Sequence, residues 1–196
     1  HASFNQVFIT DAVVPPEEIV GQVGDGWKVC TTTLMHERRG ADALRVWAQG
    51  STGNGRVFDE ERAEIATTMA PYTWYPQRAG RVDLALPRAR ATGAIKDPAA
   101  RQELAKLLVM AKCAEWTARR ARTAQEQGKP QGPEGSLGKL ASSNVARASA
   151  QLQTQFAGAN ALLAGADGPE GGIIAEILLS VPATSIAGGT DEIQRN

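Results

Sequence analysis

The chain has 196 residues, 42% of them hydrophobic, and 21 Lys+Arg against 21 Asp+Glu. That length suits one ordinary domain with a piece of another attached, and a formal net charge of zero argues against a nucleic-acid partner or an acidic membrane surface. Two cysteines and two histidines, in no metal-ligand spacing, argue against a structural zinc site, and no apolar run reaches the roughly 18 residues of a membrane span.

The chain opens on His1 and runs directly into SFNQVFITDAVV, residues 3–14. Partial alternation with β-branched and aromatic residues predicts a strand there. No signal peptide is visible, and the abrupt opening is read as a truncation, with an N-terminal part lying outside this chain. Pro15-Pro16 stops the strand, and Gly21 to Gly26 reads as a loop. A long helix is expected from Asp25 or Gly26. Cys30, Leu34, Ala41 and Leu44 fall on one of its faces, and Glu37 lies on the same face. The Gly50 to Gly55 cluster weakens it.

Residues 56–95 are harder to read. Phe58 to Met69 is charged and compatible with a helix; Pro71, Pro76 and Pro87 break up the stretch after it. An irregular excursion is expected near 53–95. Asp97-Pro98 is a helix start, with Asp as N-cap and Pro in the first turn. Leu104, Leu107, Leu108, Ala111, Ala114 and Ala118 carry its period, and Gly128 and Pro130 end it. A second long helix is expected from Pro133-Glu134 to about Gly158, with a stripe of Leu137, Leu140, Ala141, Val145, Ala148, Leu152 and Phe156. A shorter helix comes after Gly171-Gly172 and stops at Pro182. The expected fold is therefore mainly α: an antiparallel four-helix bundle over 25–196, preceded by a short β-strand remnant in 1–24. Cys30 and Cys113 sit in apolar helical stretches and are expected as buried free thiols of a reducing compartment, the cytoplasm.

Three places carry chemistry. A carboxylate on an apolar helix stripe, as at Glu37, is paired (here with Arg38 or Arg39), hydrated in a cavity, or protonated. In dry surroundings its proton affinity rises toward that of a general base working near neutral pH. In GGTDEIQRN, residues 188–196, two glycines allow close backbone approach to a ligand, and Thr190 and Asp191 can cap a helix whose free N–H groups attract anions. QFAGAN, residues 155–160, ends a helix with a glycine and two amides. Arg88 and Arg90 are candidates for phosphate contacts.

Together these segments resemble the acyl-CoA dehydrogenase family. FNQVFITDAVVPPEEIVGQVGDGWKV, residues 4–29, is similar to the family's last β-domain strand, its V-P-x-E turn and the entry to its C-terminal helical domain. GGTDEIQRN is similar to the C-terminal G-T-x-E-I-Q-R-N signature, and both lie in the family's order. The resemblance implies FAD-dependent α,β-dehydrogenation of an acyl-CoA thioester: a glutamate removes the α-proton and the β-hydrogen leaves as hydride to flavin N5. One branch of the family carries that glutamate two residues before the Thr of the signature, where this chain has Gly188. The isovaleryl and long-chain branch carries it in an L-x-x-E-R pattern, which Leu34-Met35-His36-Glu37-Arg38 fits. The resemblance thus implies Glu37 as base, with Met35, His36, Arg38 and Gly189 bordering the acyl-CoA. It implies flavin contacts from Gln155, Phe156, Ala157, Gly158 and Ala159, and from Thr190, Asp191 and Glu192. It also implies an electron-accepting protein partner and a homo- or hetero-tetramer. The family's R-x-x-F-G flavin motif is absent; Arg90-Ala-Thr-Gly93 stands near its place. That departure opens an alternative: a catalytically weak partner subunit of a heteromeric complex.

Overall fold

In a computed structural model, the structure describes residues 6–72, 75–130 and 132–196, with the backbone alone for Arg38, Arg39, Ala41, Asp42 and Arg45. The described chain is helical. It forms α1 (Gly26–Trp47), α2 (Arg56–Met69), α3 (Tyr75–Arg78), α4 (Val82–Ala91), α5 (Pro98–Glu126), α6 (Glu134–Ala157) and α7 (Ile173–Ser180), joined by short 3₁₀ turns. Two compact units result, residues 1–70 and 71–196.

Of the predicted strand, Ser3 to Asn5 lie outside the described residues, and residues 6–14 show no ladder pairing. A bend at Asp11, in the left-handed region at φ 52°, interrupts them. An isolated extended segment has no sheet to satisfy its backbone groups, so water does so instead.

In the first unit α1 begins at Gly26, where the glycine loop predicts it. Its hydroxyls turn back on the helix: Thr31 and Thr32 donate to the Lys28 carbonyl, and Thr33 to that of Val29. α2 is held to the loop before it by Glu61, which accepts from the Ser51 backbone N–H at 3.2 Å and from its hydroxyl at 3.0 Å. No described residue of this unit is buried.

The second unit is built on α5 and α6. Asp97 caps α5, its Oδ1 accepting from the Ala99 N–H at 2.9 Å, and Pro98 occupies the first turn. Leu104 and Leu107 of α5 pack with Val145 and Leu152 of α6 and with Ala85 and Ala89 of α4. Ala111, Ala114, Ala148 and Phe156 close the edges of that core. The start of α5 lies beside the end of α6, so the two run antiparallel. On another face of α6, Ala146 and Ala150 pack against Ile177 and Val181. α4 lies within the proline-rich stretch and contains Pro87. Proline removes one intrahelical hydrogen bond; burial of Ala85, Arg88 and Ala89 offsets that loss.

The two cysteines are not buried. Cys30 and Cys113 are free and exposed, because the helix faces that carry them have no covering layer within their units. Among the described residues no helix is long and apolar enough to cross a membrane, and no cluster of His, Cys, Asp and Glu is arranged to hold a metal ion.

Candidate functional site

The predicted site residues fall in both units. In the first, Met35, His36 and Glu37 lie in the middle of α1 and are exposed; Arg38 belongs to the same turn, with its side chain outside the described residues. The stripe that carries Glu37 is open as well: Leu34 is 42% exposed. Within this unit the Glu37 carboxylate therefore stands on an uncovered helix face, open to a ligand or to a covering surface.

In the second unit the sites gather on α6. At its C-terminal end Gln155 is exposed, and Phe156 is half-buried with its ring on the core. Both line a groove of about 570 Å³ with residues 92–94 and the first turns of α5, including the carboxylates Asp97 and Glu103. Gly158 ends α6 with φ 58°, and a Cβ there would meet nothing within 4 Å. Ala157 is half-buried and Ala159 exposed.

One turn back on α6, a buried polar network crosses to α4. Ser149 donates to the Gly80 carbonyl at 2.6 Å, and Gln153 Nε2 donates to the same carbonyl at 2.8 Å. Gly80 has φ 86°, and a Cβ on it would stand 2.7 Å from the Ala146 Cα. Only glycine lets this turn lie so close to the helix. Gln153 Oε1 accepts from Arg88, whose Nη2 lies 2.8 Å from Glu170 Oε2. Arg88 is therefore engaged inside the protein rather than offered to a phosphate, whereas Arg90 is exposed.

The terminal segment lies along the N-terminal half of α6. Gly188 and Gly189 turn the chain with φ 71° and 92°. Gln194 Nε2 donates to the Gly188 carbonyl at 3.1 Å, and a Cβ on Gly189 would come within 2.5 Å of that same Nε2. The Thr190 hydroxyl accepts from the Ile193 N–H at 3.3 Å. The segment closes on a single 3₁₀ turn, Ile193–Arg195. Gly189 and Thr190 are half-exposed and Glu192 is exposed.

Asp191 differs from its neighbours. It is 3% exposed. Lys139 Nζ donates to its Oδ1 at 2.9 Å and Arg147 Nη1 donates to its Oδ2. Burial alone would push its carboxyl up, but these two hydrogen-bonded cations hold it well below the ordinary carboxylate range. Neither the Arg88–Gln153–Glu170 network nor the clamp on Asp191 is legible in the sequence, because each joins residues far apart in the chain. The one available signal is that Lys139 and Arg147, eight residues apart, share a helix face.

The sequence profile of the family described as acyl-CoA dehydrogenase, C-terminal domain, matches residues 49–196. Among curated proteins, acyl-CoA dehydrogenase IpdE1 of Mycobacterium tuberculosis is 29% identical over 203 aligned positions, covering all of this chain and 42% of that protein. Acyl-CoA dehydrogenase FadE34 of the same organism is 51% identical over 35 residues, 18% of this chain and 5% of that protein. The chain thus spans less than half the length of either relative. No solved structure matches it.

Proposed function

This chain belongs to the acyl-CoA dehydrogenase family, and from that premise we propose that it is the C-terminal part of an FAD-dependent enzyme that introduces an α,β double bond into an acyl-CoA thioester. The observation that carries the reading is the pairing of Glu37 in a Leu34-x-x-Glu37-Arg38 pattern with Gly188 two residues before Thr190. One place offers a carboxylate and the other is vacant.

In this reading Glu37 removes the α-proton. A carboxylate base acts best when its proton affinity is lifted by a dry cleft. Its exposure within the first unit leaves that drying to surfaces outside the unit. Met35, His36 and Arg38 border the thioester, and Gly189 lets the backbone approach it. Bound FAD supplies the acceptor for the β-hydride. The residues present fit such a cofactor. Gln155 presents an exposed amide beside a groove, Gly158 leaves open space, and the Gly189–Thr190 turn is accessible. Gln155 to Ala159, together with Thr190 and Glu192 on either side of the inward-held Asp191, would hold it. The same reading makes the whole protein a cytoplasmic tetramer that passes electrons to an acceptor protein.

The test is Glu37→Gln in the full-length protein. Loss of a positioned general base costs about 10²- to 10⁴-fold in rate. The variant is expected to lose turnover by that factor with its flavin content unchanged; retained turnover moves the base elsewhere. The missing R-x-x-F-G motif favours a second reading, a partner subunit with weak catalysis of its own. That reading predicts a full-length chain that holds flavin only when co-expressed with another dehydrogenase chain.

A further inference from the structure

We propose that Asp191 is a positioning residue that locks the Gly188–Thr190 turn to α6 through Lys139 and Arg147, rather than a group that touches cofactor or substrate. The importance of that turn rests on the functional reading above. The lock itself rests on geometry alone.

Both carboxylate oxygens are engaged, Oδ1 by Lys139 and Oδ2 by Arg147. The backbone N–H of Asp191 donates to the Ser185 carbonyl at 3.1 Å. With 3% of the residue exposed, no atom of this carboxylate is left for an outside ligand. The receiving side is pre-oriented. Arg147 also donates to Asn144 Oδ1 at 2.6 Å and to the Ser185 hydroxyl. The fully buried Ser143 donates to the Thr184 carbonyl at 3.0 Å. Four side chains of α6, at 139, 143, 144 and 147, thus build one fixture for residues 184–191.

Gly188 and Gly189 lie between the anchors at Ser185 and Asp191. They have no side chains to fix them, and glycine has the most conformational freedom to lose. Their course is set by the anchors on either side, together with the Gln194 amide that donates to the Gly188 carbonyl. Removing one partner of a buried ion pair leaves an uncompensated charge, so the turn should loosen whether the carboxylate or Lys139 is neutralised.

The full-length protein provides the test, with Asp191→Asn, Lys139→Met, the double variant and the conservative Lys139→Arg. Lys139→Gln replaces Lys139→Met should the latter fail to fold. Two quantities are read: flavin retained against a dilution series, and amide hydrogen exchange of residues 188–195. We expect each single variant to weaken flavin retention by about tenfold or more, a change of about 1.4 kcal/mol, and to speed exchange in the segment by a similar factor. The double variant should be no worse than the poorer single one, and Lys139→Arg should behave as the parent. Weakened retention in Asp191→Asn but not at position 139 would make Asp191 a direct ligand and overturn the proposal. Additive losses, or unchanged exchange, would overturn it as well. If the parent protein holds no flavin, the functional reading fails, and hydrogen exchange still decides whether the lock exists.

Discussion

Residues 71–196 and residues 1–70 are both helical, yet they are held together differently. Among the described residues, every buried apolar one lies between Ala85 and Val181, and the buried polar residues Arg88, Ser143, Ser149, Gln153 and Asp191 are bonded to one another or to other groups across that unit. The first unit has no buried residue among those described, while Val7, Phe8, Ile9, Trp27, Leu34 and Val57 stand exposed. Helical periodicity alone therefore does not show where a chain stores its stability. An isolated helix is marginal in water without a packed face. The second unit supplies that face from within, and the first carries a face that its own residues do not cover.

The comparison breaks most directly if the units are separated. Residues 71–196 alone are expected to give a cooperative thermal transition by circular dichroism, and residues 1–70 alone a low, non-cooperative helical signal. A sharp melt from 1–70 would show that α1 and α2 stabilise each other without help, and the contrast would fall. At the level of single residues, Leu107→Ala removes a side chain that is 1% exposed and should cost about 2–5 kcal/mol in denaturant unfolding. Leu34→Ala, at 42% exposure, should stay within about 0.5 kcal/mol in this chain. In a full-length protein whose other parts cover α1, the second value should rise toward the first. That rise is the sharper form of the comparison, because it measures how much of the α1 face is closed by residues outside its own unit.

Much of the second unit was legible because local chemistry and tertiary packing agree there. The Asp97-Pro98 start, the Gly128 end and the buried Leu104, Leu107, Val145 and Leu152 reappear where capping and period predict them, whereas Leu108, Ala118 and Leu137 of the predicted stripes are exposed. α4 was hidden because Pro87 reads as a breaker in any local scheme, and only the burial of Ala85, Arg88 and Ala89 against α6 outweighs it. The buried thiols failed for the opposite reason. Period puts Cys30 and Cys113 on helices but does not say which faces a neighbour covers. Of the candidate site, the glycine pair and the end of α6 could be read as places where backbone is accessible. The difference between Asp191, clamped from α6, and the exposed Glu192 beside it depends on Lys139 and Arg147, and no reading of GGTDEIQRN in isolation supplies them.

That clamp gives a smaller effect than truncation of the core at Leu107, and it comes from linkage. The folded carboxyl of Asp191 is held below its ordinary value of about 4. A depressed folded value means that the unfolded chain takes up the proton first as pH falls. The stabilisation is therefore complete above the unfolded value and is lost as pH drops through it toward the folded one. Asp191→Asn cannot take up that proton. Thermal melts of the 71–196 unit from about pH 7 to about pH 2.5 should show the parent melting higher by a few degrees, on the order of the shift about 1 kcal/mol produces in a domain of this size, with the gap constant above about pH 5 and narrowing below about pH 4. A gap of constant width across the whole acid range would mean that Asp191 is stabilised by shape rather than by the charges of Lys139 and Arg147.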